Sequence, residues 1–263
     1  MRIGIYIGSS VLESDARIHR LVEKLEAGGF SVYQVHDGDG ITEGTDMLVS
    51  AGGDGTYLSA AKMVASEGIP VVGVNVGRIG FLSENRPEDV ADALLSGDYR
   101  IENTTLLASD DGSLALNEMA VHRSGASILG IDVSIDGVLR PTYWADGIIV
   151  STSSGSTAYS LSAGGPIVLP GAEVLVITPI APHNLNVRPL IAPATSAISI
   201  NMHSRDDKVI FTADNMTKAV DSDVRIDITV ARFSLKRVRL NKSDFINALT
   251  EKLHWGEDLR NNR

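Results

Sequence analysis

The sequence predicts an α/β N-terminal domain, built as a Rossmann-like open sheet, followed by a β-sandwich-like C-terminal domain. Over roughly the first 95 residues, short apolar runs alternate with segments of helical periodicity, the order that yields a parallel sheet with helices on its faces. Beyond them, short segments alternate apolar and polar residues, the pattern of half-buried antiparallel strands. With 263 residues, 43% of them hydrophobic, the chain can build one large domain or two modest ones around a sizeable core.

Ile3, Ile5 and Ile7 begin a buried strand. Ile18, Leu21, Val22 and Leu25 fall at helical spacing, and Gly28 and Gly29 stop that helix. Residues 32–35 read as a second strand, and Met47, Leu48 and Val49 as a third that ends in a glycine cluster. A helix is predicted over 57–66, a strand over 71–74, and a further helix from Pro87 through Leu95. The domain boundary falls between Leu95 and Leu106. After it, Leu114 and Leu116 open a strand, and Ile131, Val133 and Ile135 alternate with Asp132, Ser134 and Asp136 ahead of an Asp136-Gly137 hairpin signal. Ile198, Ile200 and Met202 make another strand, as do Val224, Ile226, Ile228 and Val230. Ser243 is the expected cap of a last helix through Lys252.

Composition narrows the function. The net charge is −10, whereas a protein that tracks a phosphate backbone carries a basic stripe. The nearest approach, Arg232, Lys236, Arg237 and Arg239, reads as one solvated strand face, so no nucleic-acid partner is expected. The absence of cysteine excludes disulfides, thiolate metal sites and a cysteine nucleophile, and fits a reducing compartment. No apolar run approaches the ~18 residues of a membrane span, and residues 1–8 are too short for a signal peptide. A cytoplasmic location without a membrane partner is the expectation. None of the six histidines pairs with another at metal-ligand spacing, and there is no nucleophile elbow of the G-x-S-x-G kind.

The chemistry is carried by four segments. Gly52-Gly53-Asp54-Gly55-Thr56 lies where a buried strand gives way to a helix, the edge at which open α/β sheets bind ligands. Glycines there admit a phosphate close to the backbone, and the helix N-terminus supplies N–H donors. A carboxylate in the middle of such a loop repels phosphate, so Asp54 suits a general base for a hydroxyl nucleophile or a metal contact; the plainer alternative is a turn whose aspartate caps the helix. Neither the Walker A pattern nor G-x-G-x-x-G is present. Asn75-Val76-Gly77-Arg78-Ile79-Gly80-Phe81-Leu82 makes a second tight loop at the same sheet edge. Asn117-Glu118 is a polar pair in an apolar run; asparagine matches an adenine edge and glutamate accepts from ribose hydroxyls. Last, residues 146–166, DGIIVSTSSGSTAYSLSAGGP, crowd hydroxyls and amides into one turn suited to a pyrophosphate or ribose, with Tyr159 able to stack on a ring.

These segments resemble the NAD kinase family. The Gly52–Thr56 pentapeptide is similar to the signature of a kinase superfamily that also includes diacylglycerol, sphingosine and 6-phosphofructokinases. The loop 75–82 resembles the family's N-x-G-x-[LI]-G-F-L, with Val76 where many members have arginine and Arg78 two residues later. The stretch 146–166 resembles its D-G-[IV]-I-[VI]-[AS]-T-P-T-G-S-T-A-Y-x-x-S-x-G-G-P, with Thr152-Ser153-Ser154 in place of Thr-Pro-Thr. The resemblance implies three segments: 1–100 with the phosphate loop, 101–240 as a β-rich NAD-binding domain, and 241–263 packing back on the first. It implies an active site between the domains that phosphorylates the 2′-hydroxyl of the adenosine ribose of NAD with ATP. Asp54 is the implied general base, and Gly52, Gly53, Gly55 and Thr56 the donor-phosphate residues. NAD would be bound by Asp54, Gly55, Phe81, Asn117, Glu118, Asp146, Thr157, Ala158, Tyr159, Ser162 and Ala181. A divalent cation, Mg²⁺, is implied as cofactor, and a homodimer or homotetramer in which Asp146 reaches the neighbour's site. Ala213-Asp214-Asn215-Met216 matches the family's polar turn in part, Met216 replacing a polar residue. A lipid kinase of the same superfamily, a kinase acting on NADH or drawing on polyphosphate, and a non-catalytic NAD(P)-binding regulator are the rival readings.

Overall fold

The computed structural model describes residues 1–8, 14–77 and 80–256, so Arg78, Ile79 and the last residues of the expected C-terminal segment lie outside the described residues. By its internal contacts the chain divides into two units, Met1–Asn103 with the segment that starts at Leu235, and Thr104–Ser234.

The first unit is the open α/β sheet that the sequence predicts. Strands β1 (Arg2–Ile7), β2 (Ser31–Val35), β3 (Met47–Ala51) and β4 (Val71–Val74) alternate with helices α1 (Ala16–Ala27), α2 (Asp54–Val64) and α3 (Pro87–Ser96). Their sheet is completed by β5 (Tyr99–Thr104) and by a strand from far along the chain, Leu235–Leu240, in the order β2-β1-β3-β4-(235–240)-β5. Strands β1 to β4 pair in parallel. β3 and β4 are buried along their whole length, as strands covered on both faces must be. Helix α1 starts at Asp15, whose side chain accepts from the Arg17 amide, turns Ile18, Leu21 and Leu25 inward, and ends at Gly28. Helix α3 has Pro87 in its first turn and stops at Gly97, which takes φ +76°, the left-handed geometry glycine adopts at no steric cost.

The second unit is a sandwich of two antiparallel sheets. One contains β6 (Leu107–Ser109), β7 (Leu114–Ala115), β9 (Leu129–Ile135), β10 (Val138–Leu139), β11 (Tyr143–Ala145), β15 (Ile198–His203) and β18 (Ile226–Val230). The other runs β14 (Leu190–Pro193), β13 (Val174–Ile180), β12 (Gly147–Thr152), β8 (Glu118–Arg123), β16 (Lys208–Ala213), β17 (Met216–Asp221). Inward side chains of both, among them Ile131, Ile200, Ile148, Val150, Val121 and Phe211, share one core. A four-residue helix α4 (Tyr159–Ser162) follows β12.

Strand β19 (Leu235–Leu240) and helix α5 (Phe245–Leu253) end the described chain. Several elements differ from the sequence reading. α2 begins at Asp54 rather than at 57, because three residues of helical backbone precede its first apolar contact. The cap of α5 is Asp244, not Ser243: the Asp244 carboxylate accepts from the Ile246 amide at 2.7 Å. Val224 stays outside its strand, and Asn117 lies between β7 and β8 instead of interrupting one strand. The largest correction concerns the basic run. Arg237 and Arg239 are buried, 9% and 5% exposed. Both reach Glu84 from β19, Arg237 Nη2 at 3.1 Å and Arg239 Nε at 3.0 Å from Oε1. Alternation on a strand inside a sheet turns these side chains inward, where a buried charge persists only with a partner. Arg239→Met is expected to cost about 3 kcal/mol of stability, read as a lower urea midpoint with an unchanged slope.

Candidate active site

In the first unit, β3 ends at Ala51 and delivers the chain to Gly53, the N-cap of α2. The first N–H groups of a helix have no intrahelical partner and carry the positive end of its dipole. Gly53 and Gly55 are exposed, with nothing near where a Cβ would stand. Thr56 is fixed from both sides: a Cβ added to Gly8 or to Gly52 would lie 2.0 or 2.3 Å from its Oγ1.

Asp54 turns away from its own helix. Its Oδ2 accepts from the Phe81 amide at 2.9 Å, and its Oδ1 accepts from the amides of Leu82 at 3.0 Å and Ser83 at 2.8 Å. The loop that supplies them folds back on β4: Asn75 N–H donates to the Asn85 carbonyl, Asn85 Nδ2 donates to the Gly73 carbonyl, and Val74 bridges Asn85. Gly80 is required by contact, since a Cβ there would stand 1.9 Å from Asp54 Oδ1. Phe81 thus meets Asp54 through its backbone, while its ring lies 6.2 Å from that of Phe245 on α5. The helix-cap alternative for Asp54 is replaced by a carboxylate clamped from a second loop.

In the second unit, another carboxylate is held the same way. Asp214, at the β16–β17 turn with φ +52°, accepts from the amides of Leu116 and Asn117 at 2.8 Å each and of Glu118 at 3.2 Å. This fixes the break between β7 and β8. The loop after β12 packs against the same point: Thr152 Oγ1 donates to the Leu116 carbonyl at 2.6 Å, and a Cβ on Gly155 would stand 2.0 Å from the Asn117 carbonyl. Ser153 takes φ −58°, the value a proline ring imposes, so the loop keeps the shape that the proline-bearing family pattern would stiffen.

Glu118 is buried, and its Oε2 has no hydrogen-bond partner among the described residues. Ser151, its register partner on β12, has an equally unpartnered Oγ. Burial pushes the Glu118 carboxyl up to about 7, the Asp214 charge adds to the rise, and a hydrogen bond from the Tyr159 amide opposes it. The Tyr159 ring is stacked on His122 at 5.5 Å between centroids. Burial, then Glu118 and Asp146, raise its phenol above the ordinary range. Asp146 is paired with Arg123, Nε to Oδ1 at 2.7 Å. Its N–H donates to the Ile180 carbonyl, which brings Asp146 beside Ala181, an alanine at φ +44°. Thr157 and Ala158 are half-buried, and Ser162 is exposed.

The structure therefore gathers Gly52, Gly53, Asp54, Gly55, Thr56 and Phe81 in the first unit. It gathers Asn117, Glu118, Asp146, Thr157, Ala158, Tyr159, Ser162 and Ala181 in the second. Sequence reasoning missed Asp214 as an anchor and His122 as the support of Tyr159; only the Asp214-Asn215 turn left a signal. Among the described residues, no group of three or more His, Asp or Glu could hold a metal ion, and no helix is long and apolar enough to cross a membrane. Among the described residues, none forms a cage for a resident divalent cation.

Comparison with known proteins shows the family. The ATP-NAD kinase N-terminal domain matches residues 18–97, and the ATP-NAD kinase C-terminal domain matches residues 116–240. An NAD kinase from Cytophaga hutchinsonii is 40% identical over 227 residues, 82% of this chain and 78% of that one. One from Porphyromonas gingivalis is 36% identical with 98% of this chain and 99% of its own length covered. Among solved structures, an NAD kinase from Archaeoglobus fulgidus in complex with ATP superposes with a TM-score of 0.79 at 28% identity, over 97% of this chain and 99% of that one. Yeast NADH kinase complexed with NADH gives 0.83 at 26% identity, over 100% of this chain and 90% of that one.

Glu118 makes stability depend on pH. Its folded pKa lies above the ordinary value of 4.5, so its contribution is full below pH 4.5 and is lost as pH rises through about 7. Glu118→Gln should melt close to the parent at pH 5 and several degrees above it at pH 8, in thermal denaturation followed by circular dichroism. Equal melting points at both pH values would show Glu118 to be ionised at no cost.

Proposed function

Because the chain belongs to the NAD kinase family, its reaction is phosphorylation of the 2′-hydroxyl of NAD to give NADP, and we propose that Asp54 is the base. The observation that carries this is the way its carboxylate is held. A carboxylate oxygen readily accepts two hydrogen bonds. Among the described residues, Oδ1 has two amide donors, and Oδ2 has one. Oδ2 thus keeps an acceptor position for the 2′-hydroxyl proton. As the ribose oxygen bonds to the γ-phosphorus of ATP, the bond to the β–γ bridging oxygen breaks, ADP leaves, and the proton passes to Oδ2. The three amides prevent the carboxylate from rotating toward the donor phosphates.

Gly52, Gly53, Gly55 and Thr56 are the proposed seat of those phosphates. The exposed glycines and the free N–H end of α2 suit an anion, which an enzyme of net charge −10 must attract by local donors. Gly55, Phe81, Asn117, Glu118, Thr157, Ala158, Tyr159 and Ser162 are the proposed NAD-binding residues. The unpartnered Glu118 Oε2 and Ser151 Oγ support a polar ligand there. A divalent cation, Mg²⁺, belongs with the triphosphate as part of the donor substrate, since Mg²⁺ relies on phosphates and water more than on protein cages. Ala181 would also line the NAD pocket, Asp146 would meet the NAD of a neighbouring copy in a homodimer or homotetramer, and the reaction would run in the cytoplasm. Similarity to yeast NADH kinase makes NADH the alternative acceptor.

The test is an assay for NADP formation from NAD, ATP and Mg²⁺, with NADH and polyphosphate as replacement substrates. Asp54→Asn should bind NAD normally in a calorimeter and lose turnover about 10³-fold, within the range of general-base catalysis. Near-normal turnover would remove Asp54 from that role.

A further inference from the structure

The loop that clamps Asp54 is itself gripped from its other side. In a trans peptide the C=O and N–H point in opposite directions, so each of the groups 80–81, 81–82 and 82–83 offers one end to Asp54 and the other elsewhere. The Gly80 carbonyl accepts from Lys252 Nζ on α5. The Phe81 carbonyl accepts from Arg237 Nη2 on β19 at 2.7 Å, and the Leu82 carbonyl from the same nitrogen at 3.4 Å. Three successive peptide groups therefore each carry a cation at the oxygen and the Asp54 carboxylate at the nitrogen. The cations are fixed in turn. Arg237 is tied to Glu84 and lies 6.0 Å from the Tyr57 ring centroid, and Lys252 stands 4.5 Å above the ring of Phe81.

We infer that Lys252 and Arg237 are positioning residues for phosphoryl transfer, acting on Asp54 through these three peptide groups. This rests on Asp54 being the base. Hydrogen bonds in a chain polarise one another: a cation on the carbonyl strengthens the amide as a donor, and so holds the carboxylate more firmly. The two residues come from the C-terminal return of the chain, far in sequence from the loop they control. Lys252 is electrostatically linked to the same group. Burial is the main cause that lowers its ammonium pKa, while Glu84 and then Asp54 oppose that fall.

The test compares Lys252→Met, Lys252→Arg and Arg237→Lys by steady-state kinetics, NAD calorimetry and thermal melting, with Lys252→Met also placed in the Asp54→Asn background. Lys252→Met and Arg237→Lys should each lower kcat about tenfold, with KM and Kd for NAD within about twofold. Lys252→Arg should recover most of the rate. In the Asp54→Asn background, Lys252→Met should cost less than about twofold, because residues that act as one unit are not additive. Unchanged kcat in both Lys252→Met and Arg237→Lys beside an inactive Asp54→Asn would overturn the positioning role and leave the base intact. Equal losses in both backgrounds, or losses confined to KM, would also overturn it. Full activity of Asp54→Asn would instead remove the base reading on which it rests. Should Lys252→Met give no cooperative melt, Lys252→Gln carries the same comparison.

Discussion

A carboxylate held by three consecutive backbone amides is the constraint around which the first unit is organised. Asp54 and its donors at 81–83 are separated by 27 to 29 residues, so the contact exists only because β3 and β4 are neighbours in one parallel sheet. Each end of that contact demands glycine for steric reasons. Gly80 leaves room for the carboxylate itself. Gly73 on β4 lets the loop lie on the strand, since a Cβ there would stand 2.7 Å from the Leu82 carbonyl. A helix that starts at Asp54 then aims its N-terminal amides at the same edge of the sheet.

The second unit repeats the device. Asp214 gathers the amides of 116–118 as Asp54 gathers those of 81–83. In both places a carboxylate neutralises amides that a loop would otherwise have to expose or bury unpaired. The consequence differs. Asp54 is half-exposed and keeps an accepting oxygen, whereas Asp214 anchors the strand break beside Glu118 and raises that neighbour's pKa. One motif yields the proposed base in one unit and an electrostatic support in the other.

Charge is handled locally throughout. An acidic chain that takes polyanionic nucleotides cannot rely on its overall field. It has glycine-flanked amides at α2, and it keeps two arginines buried with Glu84, of which Arg237 also holds the Phe81 and Leu82 carbonyls, so that these charges leave the surface acidic. The cost of burying those charges is offset by pairing with Glu84 and, for Arg237, by the two carbonyls it holds.

The sequence by itself determined the alternation of strands and helices in the first unit, the alternating strands of the second, and the family, because periodicity and turn chemistry are local and the 146–166 stretch is long and specific. Helix α1 was legible from Ile18, Leu21 and Leu25, and the hairpin after β9 from Asp136-Gly137. Only the tertiary structure decided what Asp54 touches, that Asp214 is an anchor, and that Arg237, Arg239 and Lys252 turn inward. Those facts depend on which strands become neighbours. β19 joins the sheet between β4 and β5, and a basic residue on an alternating strand looks the same in sequence whether it faces water or a buried glutamate.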